Sequence, residues 1–154
     1  MPKKTIYEAR IDHIQLLDEH GKLDEKLAKD TLTDDDVIFL YEQMSICRWL
    51  DEIAFKLQRS GRMGTYPQNK GQEAGPAGAG LALSRFGDRN WLVPCSRENI
   101  ALLLNGLPME KVLLHWMGDE RGNQIPELPG GVNILPIAIP IGTHPLHAVG
   151  IAYA

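Results

Sequence analysis

Between Gly71 and Gly80 the chain carries almost no side-chain bulk, yet Gly71-Gln-Glu-Ala74 starts a helical pattern. Ala74, Ala77, Gly78 and Gly80 form no wide apolar stripe. Glycine inside a helix is unfavourable unless close packing compensates, so this helix is expected to press tightly against another backbone. Before it lies an irregular stretch, Arg59-Ser-Gly-Arg-Met-Gly64 to Lys70, at which an earlier helical pattern stops. Taken alone, the region also suits a plain surface turn followed by a packed helix.

That earlier pattern begins at Thr31-Leu-Thr-Asp-Asp-Asp36. Thr33 and Asp36 are spaced as a reciprocal capping box, and three acids favour the positive end of the helix dipole. Val37, Leu40, Tyr41, Met44, Cys47, Leu50, Ile53, Ala54 and Leu57 then recur at steps of three and four, predicting one long amphipathic helix. Arg48 and Asp51, three apart on one face, are expected to pair. Residues 1–30 read as an N-terminal arm, with an edge strand over Ile11–Leu17 and a turn at Glu19-His-Gly21. Phe86-Gly-Asp88 closes the small-residue helix, and Asn90–Pro94 reads as a short buried strand. Helices start at Asn99 and at Pro108, the second turning Met109, Val112, Leu113 and Trp116 inward. Prolines at 126, 129, 136, 140 and 145 forbid a continuous helix or a central strand before His144. Leu135–Ile141 is therefore expected to be extended and apolar. Thr143 is the expected cap of a last helix, which stops without a glycine or polar tail, as a chain cut inside a core helix would.

Composition limits the function. The formal net charge is -4 over 154 residues, with 6% aromatics and no basic block, which disfavours a nucleic-acid surface. No apolar run nears the roughly 18 residues that cross a bilayer. Cys47 and Cys95 lack metal-ligand spacing and read as buried reduced thiols of a cytoplasmic protein.

Four ordered blocks carry a resemblance. They are Arg59–Gly64 with Gly71–Ala74, Trp91-Leu-Val-Pro-Cys-Ser-Arg-Glu-Asn99, Gly122-Asn-Gln-Ile-Pro126, and Ile139-Pro-Ile-Gly-Thr143 with the helix after it. Together they resemble the alpha subunit of thiamine-diphosphate-dependent 2-oxo acid dehydrogenases, the E1 component of the pyruvate and branched-chain complexes. The resemblance implies the N-terminal part of a thiamine-diphosphate-binding α/β fold, mostly helical with few short strands, the incomplete domain occupying residues 31–154. It further implies oxidative decarboxylation of a 2-oxo acid and acyl transfer to a lipoyl-bearing E2 core. An E1 beta subunit and a second alpha subunit are the other implied partners, in a heterotetramer, so the chain alone is expected to be inactive. A truncated or split-gene product that only binds a partner stays open beside this.

Residue by residue, the resemblance sets Arg97 and Ser96 at the cofactor's diphosphate, where a guanidinium fork suits phosphate oxygens. Ser96 stands where the family has tyrosine. Ile141 and Gly142 fall on backbone that meets the aminopyrimidine, and Thr143 matches a potassium-binding threonine. Ala138 and Ile139 replace the serines of that potassium site, so no ion is expected. Tyr66, His144 and His147 are substrate-side candidates. The resemblance implies Mg²⁺, held by a Gly-Asp-Gly segment expected beyond residue 154; Gly118-Asp-Glu120 lacks the second glycine. No metal ligand is expected within the chain.

Overall fold

Thr33 and Asp36 exchange the two hydrogen bonds of the capping box, Asp36 N–H to Thr33 Oγ1 at 3.2 Å and Thr33 N–H to Asp36 Oδ2 at 2.8 Å. The computed structural model, which describes residues 2–29, 31–86, 90–128 and 131–154, accordingly starts its longest helix at the next residue. The chain divides into two compact units, up to Val37 and from Ile38.

In the first unit, Leu17 and Leu23 form a single antiparallel bridge around the turn at Glu19-His20. A short helix, α1 (Glu25–Ala28), follows, capped by Asp24. The strand expected over Ile11–Leu17 does not form, since only Leu17 finds a partner and Ile11 and Ile14 stand in solvent. A strand without a neighbour leaves its ladder unmade, and periodicity alone cannot supply one.

Helix α2 (Asp34–Arg59) leads into the second unit and buries Cys47, Leu50, Asp51 and Ala54. It ends where expected: Gly61 N–H bonds the Gln58 carbonyl and Arg62 N–H the Leu57 carbonyl. Helix α3 (Ala74–Ser84) follows, and the closing Gly87 and Asp88 lie outside the described residues. Of the small residues expected to pack, Ala77 and Gly80 are buried where α3 meets α4 (Asn99–Leu104), whereas Ala74 and Gly78 are exposed. A Cβ on Gly80 would sit 3.0 Å from Ala101 Cα, so the two backbones can approach this closely only with glycine there. Asn105 fastens the contact by donating to the carbonyls of Gly80 at 3.2 Å and Ala101 at 2.8 Å.

Helix α5 (Met109–Trp116) buries Val112 and Trp116, and a 3₁₀ turn spans Glu120–Asn123. Strands β1 (Trp91–Leu92) and β2 (Asn133–Ile134) pair in parallel, Trp91 opposite Asn133 and Leu92 opposite Ile134. Trp91 is exposed, so the strand expected to be buried is so only in part. β2 had no sequence signal: two residues set between prolines show no period. The main core gathers Leu50 and Ala54 with Met63, Tyr66, Leu102, Val112, Trp116 and Ile134. Helix α6 (Thr143–Tyr153) closes the chain. Gly142, at φ 87°, occupies its N-cap and no side chain caps it, so Thr143 is the first helical residue and not the expected cap. Among the described residues, no helix is long and apolar enough to cross a membrane.

Candidate functional site

The parallel pair decides where the predicted cofactor residues emerge. Beyond the ladder the two segments stay hydrogen-bonded, Leu135 N–H to the Leu92 carbonyl at 3.0 Å and Ala138 N–H to the Pro94 carbonyl at 3.1 Å. Cys95, Ser96 and Arg97 follow the first segment, and Ile139 to Gly142 follow the second. Both continuations lie at the carboxyl edge of the strands, the edge at which open α/β sheets receive ligands.

Arg97 is exposed, and its guanidinium has no partner among the described residues; its backbone N–H donates to Glu98 Oε2 at 3.1 Å. Ser96 is half-buried, its Oγ 3.9 Å from Cys95 Sγ. Ile141 is 91% exposed, and a Cβ at Gly142 would meet nothing within 4 Å. His144 is half-buried, its enclosed Nδ1 without a hydrogen-bond partner among the described residues, whereas His147 is exposed. Beside these, a cleft of about 400 Å³ runs between Leu83, Trp91 and Val93 on one side and Ala148, Ile151 and Ala152 of α6 on the other.

Tyr66 belongs elsewhere. At 4% exposure it lies in the core, edge-on to Trp116 with ring centroids 5.8 Å apart. Its hydroxyl donates to Asp51 Oδ1 at 2.6 Å and accepts from Asn99 Nδ2 at 3.2 Å. Asn69 Nδ2 donates to the same Asp51 oxygen at 3.3 Å, and Asn69 Oδ1 accepts the Asn99 N–H at 3.3 Å. Burial first, then the neighbouring Asp51, pushes the Tyr66 phenol far above its usual range. The network therefore ties α2, the stretch before α3 and the first residue of α4 together. Asn99 sits two residues after Arg97, so the network also fixes the root of the loop that presents it.

Arg48 does not pair with Asp51. Its Nε donates to Glu73 Oε1, and Gly71 N–H donates to Glu73 Oε2 at 2.8 Å. The guanidinium is the larger cause holding the Glu73 carboxyl below its usual value. An i, i+3 spacing offers a local partner, but Glu73 is brought in by the turn before α3. Sequence reasoning missed Asn69 and Asn99; their only signal was two amides flanking glycine- and proline-rich turns.

The exposed arginine, the serine hydroxyl and the open backbone at Gly142 are groups that could hold an anion at the carboxyl edge. They fit the phosphate end of a cofactor. They do not fit its metal: among the described residues no group of three or more His, Cys, Asp or Glu could hold an ion.

An α/β chain with an exposed arginine and open backbone at the carboxyl edge of a short parallel sheet is thus the class that fold and site define. The chain belongs to the dehydrogenase E1 component family, whose model matches residues 41–154. It is 36% identical over 139 residues to the pyruvate dehydrogenase E1 component subunit alpha of Mycoplasma genitalium, covering 90% of this chain and 37% of the relative. The Staphylococcus aureus subunit of that name is 35% identical over 148 residues, 96% of this chain and 38% of the relative. The one from Acholeplasma laidlawii reaches 40% over 133 residues, 86% of this chain and 35% of the relative. The chain thus spans less than two-fifths of the length of these relatives.

Proposed function

We propose that this chain forms the diphosphate-receiving part of the alpha subunit of a pyruvate dehydrogenase E1 component. The observation that carries the reading is the identity of 35–40% to subunits of that name along most of the chain. The assembled enzyme decarboxylates pyruvate oxidatively and hands the acyl group to the lipoyl arm of E2, working in the cytoplasm with a beta subunit and a second alpha subunit. Bound thiamine diphosphate supplies the nucleophilic thiazolium carbon and the electron sink. Arg97 would hold the diphosphate by charge-assisted hydrogen bonds, and Ser96 would reach it through water or directly. Backbone at Ile141 and Gly142 would receive the aminopyrimidine, with His144 and His147 on the substrate side. Tyr66 acts one step back: through Asp51, Asn69 and Asn99 it steadies the Arg97 loop. Magnesium ligands are left to residues outside this chain.

The test is a calorimetric titration of thiamine diphosphate into an E1 assembly holding this chain and a beta subunit. Arg97→Ala removes a charged donor from an anion, an interaction class worth roughly 1.5–3 kcal/mol. At about 1.4 kcal/mol per decade, affinity should fall roughly tenfold to a hundredfold. Ser96→Ala should cost less, and Ser96→Tyr should preserve or tighten binding. Parent-like affinity for Arg97→Ala would remove the loop from the diphosphate site.

A further inference from the structure

Asn105-Gly106 is the one place in the sequence where glycine follows asparagine. The fold requires both residues, each for its own reason. Helix α4 ends in a Schellman turn, with Leu107 N–H donating to the Leu102 carbonyl and Gly106 N–H to the Leu103 carbonyl, both at 3.0 Å. Gly106 stands at φ 90°, a left-handed conformation that suits a residue without a Cβ. Leu102 and Leu107 both belong to the main core, which seats the turn. Asn105, only 5% exposed, holds α4 to α3 through the two hydrogen bonds its Nδ2 donates to the Gly80 and Ala101 carbonyls.

Side by side, the two residues make a chemically labile pair. Glycine offers no side chain to hinder its own nitrogen. Once its proton has passed to base in solution, the Gly106 nitrogen can attack Asn105 Cγ. The Cγ–Nδ2 bond then breaks, ammonia leaves with a proton from solvent, and a succinimide ring closes. Water opens the ring at either carbonyl, leaving aspartate or isoaspartate. Water is the only co-reactant, and nothing is oxidised or reduced.

The folded chain withholds each part of this step. The Gly106 N–H is held by the Leu103 carbonyl, away from base. Ring closure takes a large rotation about the Asn105 ψ, which the cap sets at 16°. The leaving nitrogen is buried between two carbonyls. We propose that Asn105 is a deamidation site gated by the α3–α4 contact, shut while the contact holds and reactive whenever the end of α4 opens. The product cannot restore the contact. A carboxylate has no hydrogen to donate, and it would face the Gly80 and Ala101 carbonyls oxygen to oxygen in a buried place. A reversible local opening thus becomes a permanent one. The proposal stands independently of the cofactor assignment, because neither residue belongs to the carboxyl-edge site.

The experiment is a timed incubation of this chain at mildly alkaline pH. Peptide mapping by mass spectrometry follows loss of the Asn105 amide, and an isoaspartyl methyltransferase tags the isoaspartate. The folded chain should deamidate at Asn105 at least about a hundredfold more slowly than the same chain in urea above its midpoint, because reaction through an opened state tracks the population of that state. Gly80→Ala, which crowds Ala101, should speed the folded-state reaction about tenfold and leave the rate in urea unchanged. Chain modified at Asn105 should unfold at lower urea than unmodified chain. Equal rates in the folded chain and in urea, a folded-state rate that Gly80→Ala does not raise, or a modified chain with the parent's urea midpoint would each overturn the proposal. The comparison of folded chain with urea uses the parent alone, so it decides even where Gly80→Ala fails to fold.

Discussion

Asp51 is fully buried and accepts two side-chain donors on one oxygen, while its other oxygen has no partner among the described residues. A buried carboxyl so placed depends heavily on the donors it has. Tyr66→Phe keeps the ring against Trp116 and removes only the hydroxyl, so it isolates that dependence. We expect a loss of about 2 kcal/mol, read as a lower urea midpoint at unchanged slope. A change under about 0.5 kcal/mol would make the hydroxyl incidental. Cys47 sits in the same neighbourhood, and burial, followed by the charge of Asp51, pushes its thiol up to about 12. The ordinary thiol value is near 8.5, so above that pH the unfolded chain sheds a proton that the folded chain keeps. Folded Cys47 then binds more protons than unfolded Cys47, and stability must fall as pH rises from about 8.5 towards 12. Comparing urea midpoints at pH 7.5 and 10 should show the fall, and Cys47→Ala should make it shallower. Neither residue's setting was open to sequence reading. The periodicity put Cys47 on the inner face correctly, but gave Asp51 to Arg48, because spacing along a helix says nothing of what a turn 25 residues later brings in.

Elements whose causes are local were legible, and those whose causes are tertiary were not. The Thr33–Asp36 box placed the start of α2 without reference to anything distant. The small residues of α3 announced a close neighbour, and α4 is that neighbour, although only the fold could say so. By contrast β2 exists because β1 is there to pair with, and the absent strand over Ile11–Leu17 lacks any such mate. Glycines 78 and 80 of α3 give a paired test of this close packing. Gly80→Ala drives a methyl group to 3.0 Å from Ala101 Cα, where backbone must yield, and should destabilise by about 1–3 kcal/mol. Gly78 is exposed, with nothing within 4 Å of its built Cβ, so Gly78→Ala should stabilise by up to about 1 kcal/mol through helix propensity alone. Thermal melts of the two variants should therefore shift in opposite directions. If both fell, close approach would not be the reason for the glycines.

At the scale of the molecule, the carboxyl edge of a two-residue sheet gathers the residues proposed for the cofactor. The sequence supplied its members as separate blocks, Ser96 and Arg97 in one and Ile141 and Gly142 in another, linked only by resemblance. Parallel pairing gives the physical reason they leave the same edge. The apolar run from Leu135 onward already signalled that the same arrangement leaves apolar surface open, and the fold shows where. In α6, Leu146, Val149 and Tyr153 follow one another at helical steps and are all strongly exposed, Tyr153 at 95%. They continue from the exposed Ile141. Apolar stretches of this kind hold hydrophobic dyes and promote association. Because these side chains are mostly in water, polar replacements there remove no core contact. Leu146→Glu with Val149→Glu should therefore lower anilinonaphthalene sulfonate fluorescence and raise solubility, with the helical circular dichroism and the urea midpoint of the parent retained. A midpoint lowered by more than about 1 kcal/mol equivalent would mean that these residues are packed in solution, and that α6 lies against a surface it does not touch here.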